Sequence, residues 1–320
     1  MTNAAVPAPV TKVLDAAGTW LPASMAEVEK RLERGAASPG GPLAEDATAT
    51  LAAGGKRLRP LLVLLCAGPE SAASAVSAAT AVELVHMATL VHDDVLDAAP
   101  LRRGRPTVLA TSGRPRATAT GDLLFSRAFA ELAGDGDPVR VALLTTASVA
   151  LARGELAQRR DAFDLGVTAE RYLERCRLKT AALFECACSI GDGRSTLAGF
   201  GRRVGLAFQL LDDVLDVTGP PERTGKARGT DLLDGTITLP LIRARELDTS
   251  LAEIDLHGLG AGGAEEVCDR IVATGAADEV RAIARRHVEA AKADLDATGL
   301  EPERRRLLDL VADGVVERYA

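Results

Sequence analysis

The chain has 320 residues and a formal net charge of −7; hydrophobic residues make up 47% of it and aromatic residues only 3%. Strand-forming aromatic and β-branched runs are scarce, so Ala, Leu and Val must build the core, which predicts an all-α fold. The negative charge argues against a nucleic-acid binder, because such proteins present basic surfaces.

Apolar periodicity, interrupted by Gly and Pro, predicts a chain of helices joined by short connections. They are expected over residues 11–34, 71–97, 117–133, 138–161, 168–189, 195–217, 237–247, 263–274, 277–297 and 302–318, with breaks at 38–42 and 54–60. No change in composition marks a domain boundary. We therefore predict a disordered N-terminus over residues 1–10 and a single all-α domain over residues 11–320.

The cysteines and the N-terminus predict a cytoplasmic protein. Five cysteines are present, an odd number without a CxxC pair, which is typical of reduced, buried thiols. The N-terminus lacks the basic start and apolar core of a signal peptide. No stretch is expected to reach the length of a membrane span, so we predict no transmembrane segment.

One five-residue motif, DDVLD, occurs twice, as Asp93–Asp97 and as Asp212–Asp216, each time after an apolar run. On a helix its first and last Asp lie one turn apart on one face. Like charges at this spacing destabilise a helix by about 0.2–0.5 kcal/mol per pair, so two retained copies indicate a function. Mg²⁺ suits them, because it takes a few carboxylates, keeps several waters and binds substrate phosphates. For either copy alone, a solvated helix face is the alternative.

Basic residues stand beside both acidic motifs, several of them in Gly-rich segments. Arg and Lys bind phosphate as a bidentate fork and a point charge, respectively. Any one of these basic residues, taken alone, is more typical of a solvated surface charge than of a phosphate ligand. Together with six Asp residues they predict a site for a metal–diphosphate complex, in which about three Mg²⁺ would offset the six carboxylates. The basic candidates are Lys56, Arg59, Arg102, Arg103, Lys179 and Lys226, and His86 lies two turns before Asp93 on nearly the same face.

In combination, these motifs resemble the trans-isoprenyl (polyprenyl) diphosphate synthases. The matching segments are GGKRLRP (54–60), ELVHMATLVHDDVLD (83–97), RRGRPT (102–107), GDLLFSRAF (121–129), GELAQ (154–158), KTAALF (179–184), FQLLDDVLD (208–216) and GKARGTDLLDGTITLP (225–240). They follow the family order and cover most of the chain from Gly54 to Pro240. The N-terminal helix and the last eighty or so residues match only in helical character.

The resemblance implies one large helical bundle of the isoprenoid synthase type, with a central cavity between the helices that carry the two DDxxD motifs. It implies a homodimeric, Mg²⁺-dependent prenyltransferase that condenses isopentenyl diphosphate head-to-tail with an allylic diphosphate to give a linear trans-polyprenyl diphosphate. The implied metal ligands are Asp93, Asp97 and Asp212, with Asp94, Asp213 and Asp216 assisting. The implied allylic diphosphate ligands are Arg102, Lys179 and Lys226. The implied isopentenyl diphosphate ligands are Lys56, Arg59, His86 and Arg103, and the residues implied near the developing carbocation are Thr180 and Gln209.

One position departs from the family pattern. Where these synthases often have a second Lys in a GKxTLP segment, this chain has Thr236. A threonine supplies no positive charge, so binding of the allylic diphosphate is expected to depend more heavily on Lys179 and Lys226.

Three other functions remain as alternatives. A terpene cyclase would share the first DDxxD motif, but its second metal site follows an Asn/Ser/Glu pattern that is absent here. A non-catalytic subunit of a heteromeric synthase tends to lose an acidic motif or the basic loop, and this chain keeps both. A geranylgeranyl or farnesyl diphosphate synthase would differ only in a shorter product.

The residues of the helix that ends in the first acidic motif predict the length of the product. No aromatic residue lies on the face preceding Asp93, whereas short-chain members of the resembled family place Phe or Tyr four or five positions before that Asp; here Thr89 and Ala88 stand there. From Ser71 to Ala88 the helix is about 25 Å long at about 1.5 Å per residue, enough for roughly five or six isoprene units. We predict a product of about thirty carbons or more, as in a quinone side-chain precursor. The expected tunnel residues are Ala88, Val85, Leu84 and Ala81, with Phe125 and Phe129 as a possible cap; an ordinary helix–helix contact of small residues is the alternative.

Overall fold

A computed structural model describes residues 8–38, 40–219 and 228–317. In chain order the helices are α1 (Ala8–Ala16), α2 (Trp20–Ala37), α3 (Gly41–Ala52), α4 (Leu58–Ala67), α5 (Ala72–Leu96), α6 (Val108–Asp135), α7 (Pro138–Arg160), α8 (Ala169–Cys176), α9 (Ala182–Asp192), α10 (Ala198–Thr218), α11 (Thr230–Leu233), α12 (Leu239–Leu247), α13 (Ala261–Ala273), α14 (Ala276–Asp296) and α15 (Pro302–Glu317). A π-helical turn, Arg177–Ala181, joins α8 to α9, and a 3₁₀ helix spans Thr249–Glu253. Within the described ranges, the strands are β1 (Leu101–Arg102) and β2 (Arg105–Pro106), which form an antiparallel hairpin. The predicted all-α class is therefore confirmed.

The N-terminal region differs from the sequence expectation in three places. The single helix predicted over residues 11–34 is split into α1 and α2 at Gly18, whose φ of +70° breaks the helical path. α1 already begins at Ala8, within the segment predicted to be disordered. Pro42 was interpreted as part of a break, but it lies in the first turn of α3, where the missing N–H of proline costs nothing.

α5 is the core helix, and it is buried on nearly all sides by α2, α4, α6 and α9. It is long and apolar enough to cross a membrane by length and composition alone, so the expectation that no stretch reaches that length is wrong. In the fold, 78% of its most apolar window is buried inside the protein, as in the core helix of a bundle.

α6 runs antiparallel to α5 after the β1–β2 hairpin. At one end the imidazole of His92 lies against Gly121, where a Cβ atom would stand 2.2 Å from Nε2. At the other end Ser77 donates a hydrogen bond to Asp135, which also pairs with Arg140 at 2.9 Å. The antiparallel arrangement brings the acidic end of α5 and the start of α6 to the same end of the bundle.

α10, which carries the second acidic motif, packs against α9 and α14. Two glycines allow its close approach to the preceding segment. A Cβ atom at Gly201 would stand 2.5 Å from the carbonyl oxygen of Phe184, and one at Gly205 would stand 2.7 Å from Cα of Ala181. The helix that carries the second motif is therefore held directly against α9 and the π-helical turn.

Candidate active site

The first acidic motif lies at the C-terminal end of α5. Asp93 is half-buried, and Asp97 follows the last residue of the helix. Burial raises the pKa of the Asp93 carboxyl to about 6, although the charges of Lys179 and Arg102 oppose the shift. Nearby Glu155 and Asp97 add to the rise. Asp93 is thus a carboxylate whose negative charge is incompletely offset by the protein.

The middle carboxylate of this motif points elsewhere. Asp94 is buried and accepts a 2.7 Å hydrogen bond from Nε of Arg102, which lies on β1. A charge-assisted bond of this kind fixes the hairpin against α5. It brings Arg102 and the following Arg103 beside the acidic motif; their role as phosphate ligands stays a prediction.

The second motif repeats this arrangement on α10. Asp213 is buried, and its two oxygens accept hydrogen bonds from the Tyr172 hydroxyl at 2.5 Å and from Nε2 of Gln209 at 2.7 Å. Asp212 is exposed, whereas Asp216 accepts a 3.2 Å hydrogen bond from the backbone N–H of Asp231. In both motifs, therefore, the middle Asp is used within the protein, and the first Asp is more accessible than the middle one.

The π-helical turn presents two of the predicted residues. Lys179 donates a hydrogen bond through Nζ to Oε2 of Glu155, and the Thr180 hydroxyl donates to Oε1 of Gln209 at 2.6 Å. The widened turn packs on Gly154, where a Cβ atom would stand 2.5 Å from the Lys179 nitrogen. Such π-helical turns often occur at functional sites. Here the turn links both acidic motifs, because Lys179 acts on Asp93 and Thr180 reaches Asp213 through Gln209.

A second group of basic residues surrounds His86, two turns before Asp93 on nearly the same face of α5. His86 and Arg103 line a cavity of about 440 Å³ that also includes Arg102, Arg57 and Glu83. Arg57 is paired with Glu29 at 2.6 Å and with Glu83 at 3.0 Å, which anchors the loop that precedes α4.

Arg59 and His86 have the features of an anion site. Nε of Arg59 is buried and has no hydrogen-bond partner among the described residues, while its guanidinium lies 4.6 Å from the centre of the Phe184 ring. Burial, with the positive charge of Arg103 adding to it, lowers the pKa of Arg59 to about 10, although Glu83 opposes the shift. Burial, followed by the charges of Arg59 and Arg103, lowers the pKa of His86 well below 6.5. The positive charges around His86 repel one another, and a bound anion offsets this repulsion.

Two predicted residues are not part of this group. Lys56 lies beside it and lines a small apolar cavity with Phe208 and Leu310. Lys226 lies outside the described residues. The segment that follows it is held in place, because the Phe163 N–H donates to the Gly235 carbonyl at 2.8 Å and Arg175 donates to the carbonyl of Ile237.

The four residues predicted to line a product tunnel, Ala88, Val85, Leu84 and Ala81, are all buried in the core. A Cβ atom built on Gly35 of α2 would lie 4.0 Å from a methyl group of Leu84, so this side chain faces α2. Phe125 stacks on His92 with the ring centres 5.8 Å apart, next to the first acidic motif, and Phe129 is half-buried. The control of product length by these residues stays a prediction.

Three residues that contact the site were not identified from the sequence. Glu155 and Arg159 lie on α7, and Tyr172 lies on α8. Glu155 and Arg159 are four residues apart on a predicted helix, a spacing typical of an ion pair, and Nε of Arg159 does donate to Glu155 at 2.9 Å. Nothing in the local pattern around Tyr172 indicates its contact with Asp213.

The acidic residues fit a cation that is bound together with a phosphate. Within residues 8–38, 40–219 and 228–317, no three His, Cys, Asp or Glu side chains are grouped to hold a metal ion by themselves. Asp93 and Asp212 nevertheless offer hard oxygen ligands, and the charge of Asp93 is incompletely offset. Mg²⁺ is typically bound in this way, through one or two carboxylates and the phosphates of a substrate.

Comparison with known proteins identifies the family. A model of the polyprenyl synthetases matches residues 42–267. The chain belongs to the polyprenyl synthetase family. It is 39% identical over 309 residues to heptaprenyl diphosphate synthase component 2 of Geobacillus stearothermophilus, covering 93% of this chain and 97% of the relative. It is 36% identical over 284 residues to the geranylgeranyl diphosphate synthase of Methanosarcina mazei, covering 83% and 86% of the two chains.

Solved polyprenyl synthetase structures share the fold. Heptaprenyl diphosphate synthase from Staphylococcus aureus superposes with a TM-score of 0.87 at 29% identity, covering 94% of this chain and 99% of that one. Polyprenyl synthase from Caulobacter crescentus CB15, complexed with calcium and isoprenyl diphosphate, gives 0.88 at 32% identity, with coverages of 97% and 98%. The predicted isoprenoid synthase fold and prenyltransferase function are thereby confirmed. The length of the product is not fixed by these relatives, whose names range from geranylgeranyl to nonaprenyl synthases.

Proposed function

We propose that this polyprenyl synthetase condenses isopentenyl diphosphate head-to-tail with an allylic diphosphate, in a Mg²⁺-dependent reaction that gives a linear trans-polyprenyl diphosphate. The observation that carries the proposal is the set of cations that face α5 at two levels along the helix. Lys179 and Arg102 act on Asp93. Arg59 and Arg103 act on His86, seven residues earlier, and Arg102 acts there as well. Two groups of this kind match a reaction that uses two diphosphate substrates.

In this proposal Asp93, Asp97 and Asp212 hold Mg²⁺, with Asp94, Asp213 and Asp216 in supporting positions. These residues would hold the metal, which would supply positive charge to the diphosphate leaving group of the allylic substrate. The Caulobacter relative was solved with calcium and isoprenyl diphosphate, which supports a divalent cation and a substrate of this class. A requirement for about three Mg²⁺ per site is part of the proposal.

The protein's own residues then have distinct roles. Lys179, Arg102 and Lys226 hold the allylic diphosphate and stabilise the negative charge that develops on it, an electrostatic contribution that is preorganised by the fold. Lys56, Arg59, His86 and Arg103 hold isopentenyl diphosphate. Thr180 and Gln209, hydrogen-bonded to each other at 2.6 Å, present polar oxygen atoms near the carbon that becomes positive.

The product is proposed to have about thirty carbons or more. Small and aliphatic residues precede Asp93 on α5, which is compatible with a long apolar chain beside that helix. The relatives include heptaprenyl and nonaprenyl synthases as well as geranylgeranyl synthases, so a shorter product is the competing outcome.

We propose a cytoplasmic protein, because its five cysteines are all unpaired and buried. Burial raises the pKa of the Cys176, Cys186 and Cys268 thiols to about 12, which keeps them protonated and unreactive.

A homodimer is proposed as the working form. Val149 and Leu156 on α7 are 54% and 70% exposed, and a spacing of seven residues places them on one face of the helix. Apolar side chains so arranged favour a protein partner.

A second candidate is a catalytic subunit of a two-component synthase. The relative from Geobacillus is named as component 2 of a heptaprenyl synthase, and it aligns over 97% of its own length. The apolar residues on α7 would then contact a different chain. Both candidates use the same active site and differ only in the partner.

The experiment is incubation of the purified protein alone with isopentenyl diphosphate, a farnesyl or geranylgeranyl primer and Mg²⁺, with the products sized by mass spectrometry. A linear product elongated by five-carbon units supports the synthase. A cyclic hydrocarbon would contradict it. Absence of product from the chain alone, together with product after addition of a host-cell fraction, would favour the two-component candidate.

A further inference from the structure

Arg159, on the last turn of α7, is bonded to the last carboxylate of the first acidic motif. Its Nη2 donates a hydrogen bond to Oδ1 of Asp97, and its Nε donates to Oε1 of Glu155 at 2.9 Å. Glu155 in turn accepts a hydrogen bond from Lys179. The four side chains therefore form a row in which negative and positive charges alternate: Asp97, Arg159, Glu155 and Lys179.

Arg159 thus pairs with Asp97, a carboxylate that the proposed function assigns to a metal ion. The Arg159 and Asp97 side chains are 36% and 29% exposed, so the pair is partly shielded from water. The two carboxylates raise the pKa of Arg159 above its usual value, against the opposing effect of burial, so the guanidinium is always charged. A guanidinium and a divalent cation on one carboxylate group repel each other, and the repulsion is stronger where water is partly excluded.

We propose that Arg159 is a positioning residue that pairs with Asp97 and competes with the divalent cation for this carboxylate. The inference rests on the proposed function, because it takes the first DDVLD motif as a metal site. When the cation binds, Arg159 leaves Asp97 and stays anchored to Glu155 through its second contact. The protein thereby avoids an uncompensated cluster of carboxylates before the metal and diphosphate arrive, and in return the metal binds less tightly.

The next residue along the helix provides a matched control. Arg160 has the same charge and is 68% exposed, and among the described residues its one ion pair is with the buried carboxylate of Asp161 at 3.4 Å. Asp161 keeps Arg171 at 2.5 Å and Arg175 at 3.6 Å when Arg160 is replaced. Arg160→Gln therefore removes the same charge from the same turn without touching Asp97.

The test is a titration of the full-length protein with Mn²⁺ alone, in which electron paramagnetic resonance measures free Mn²⁺. We expect Arg159→Gln to bind Mn²⁺ about threefold to tenfold more tightly than the wild-type protein, because the competing ion pair and its repulsion are removed. Arg160→Gln is expected to bind as the wild type does. Thermal unfolding without metal checks that each variant is folded.

A second pair of variants assigns the effect to Asp97. In an Asp97→Asn background, Arg159→Gln is expected to change Mn²⁺ affinity by less than about twofold, because the shared carboxylate is gone. Equal or weaker Mn²⁺ binding by Arg159→Gln would overturn the proposal, and so would a gain that persists in the Asp97→Asn background or that Arg160→Gln reproduces.

The metal titration and the product assay separate this inference from the proposed function. A protein that shows the Arg159 effect but forms no prenyl product, either alone or with a host-cell fraction, would overturn the proposed function and leave the competition at Asp97 standing. Product formation with unchanged Mn²⁺ affinity in Arg159→Gln would overturn only the competition. If neither protein binds Mn²⁺ alone, the comparison is repeated with inorganic diphosphate present, because the acidic residues fit a cation that is bound together with a phosphate. Absence of Mn²⁺ binding there refutes both the role of Arg159 and the metal site.

Discussion

The hydroxyl of Tyr172 donates a 2.5 Å hydrogen bond to Oδ2 of Asp213, the buried middle carboxylate of the second acidic motif. Gln209 donates to the other oxygen of the same group at 2.7 Å, and burial raises the pKa values of both Tyr172 and Asp213. One side chain of the motif is thereby fixed inside the protein, and this fixes the direction in which its neighbour Asp212 points.

The first prediction concerns this hydrogen bond. Tyr172→Phe leaves a buried carboxylate with one partner fewer, which is expected to lower the free energy of unfolding by about 1–3 kcal/mol. We also expect a loss of kcat with little change in either KM, because Asp212 and Gln209 lose their fixed positions. Chemical denaturation and steady-state kinetics measure the two effects.

A double-mutant cycle is the control for this prediction. If Tyr172 acts through Asp213, the loss of stability should be smaller in an Asp213→Asn background, since the two groups contact each other. Strictly additive losses would show that Tyr172 contributes by packing alone.

The second prediction concerns the protonation of His86. Its pKa is held well below 6.5 in the folded protein, so the ring is neutral at pH 7. As the pH falls below about 6.5 the unfolded chain takes up a proton that the folded chain does not, and the free energy of unfolding decreases. His86→Gln is expected to remove this part of the pH dependence between about pH 7 and pH 5.

NMR of the His86 ring checks the same shift directly. The ring should remain neutral at pH 6 in the free protein, and addition of inorganic diphosphate should raise its pKa, because a bound anion offsets the neighbouring arginines. A ring that is half-protonated near pH 6.5 with and without diphosphate would contradict the assignment of this anion site.

The third prediction separates the two diphosphate sites. Arg59→Ala removes a buried cation near His86 and is expected to raise the KM for isopentenyl diphosphate about tenfold or more, with a smaller effect on the allylic primer. Lys226→Ala should do the reverse. The comparison requires KM values for both substrates in both variants, and equal effects on the two substrates would refute the division.

The family is predictable from the sequence alone, for a physical reason. The acidic and basic motifs are short, dense in charge and fixed in order, so they can be recognised without knowing how the chain folds. The same holds for the apolar run of α5. The contacts of Tyr172 with Asp213 and of Arg159 with Asp97 were not predictable, because they join residues far apart in the sequence.

Local backbone features were also missed, for a different reason. The turn at Arg177–Ala181 has the composition of an ordinary helix, and its π-helical form depends on packing against Gly154. The break between α1 and α2 depends on Gly18 alone. The start of α3 depends on Pro42, which suits the first turn of a helix although proline interrupts helices elsewhere. At the π-helical turn, tertiary packing rather than helix propensity decides the structure.

The fourth prediction concerns product length. Ala88 is fully buried on α5, just before the first acidic motif. If the growing chain lies along this face, Ala88→Phe is expected to fill the space and shorten the product to about fifteen to twenty carbons. Mass spectrometry of the products decides the outcome.

The control for product length is the stability of the variant, since a ring inserted into a packed core also destabilises by about 1–3 kcal/mol. A folded Ala88→Phe variant with an unchanged product would show that this face does not set the length. A wild-type product of only twenty carbons would contradict the long-chain proposal.

The central claim is that Asp93 and Asp212 supply the metal-binding carboxylates of a prenyltransferase, and single-turnover prenyl transfer at saturating Mg²⁺ tests it most directly. Asp93→Asn and Asp212→Asn are expected to remain folded and to lose about a hundredfold or more in rate, because several kcal/mol of electrostatic stabilisation are removed at about 1.4 kcal/mol per tenfold. Asp278→Asn serves as the control, because this exposed carboxylate pairs with Arg281 alone, at 2.6 Å, in the part of the chain that the structure describes. Near-normal rates in either motif variant, with the control unchanged, would contradict the account.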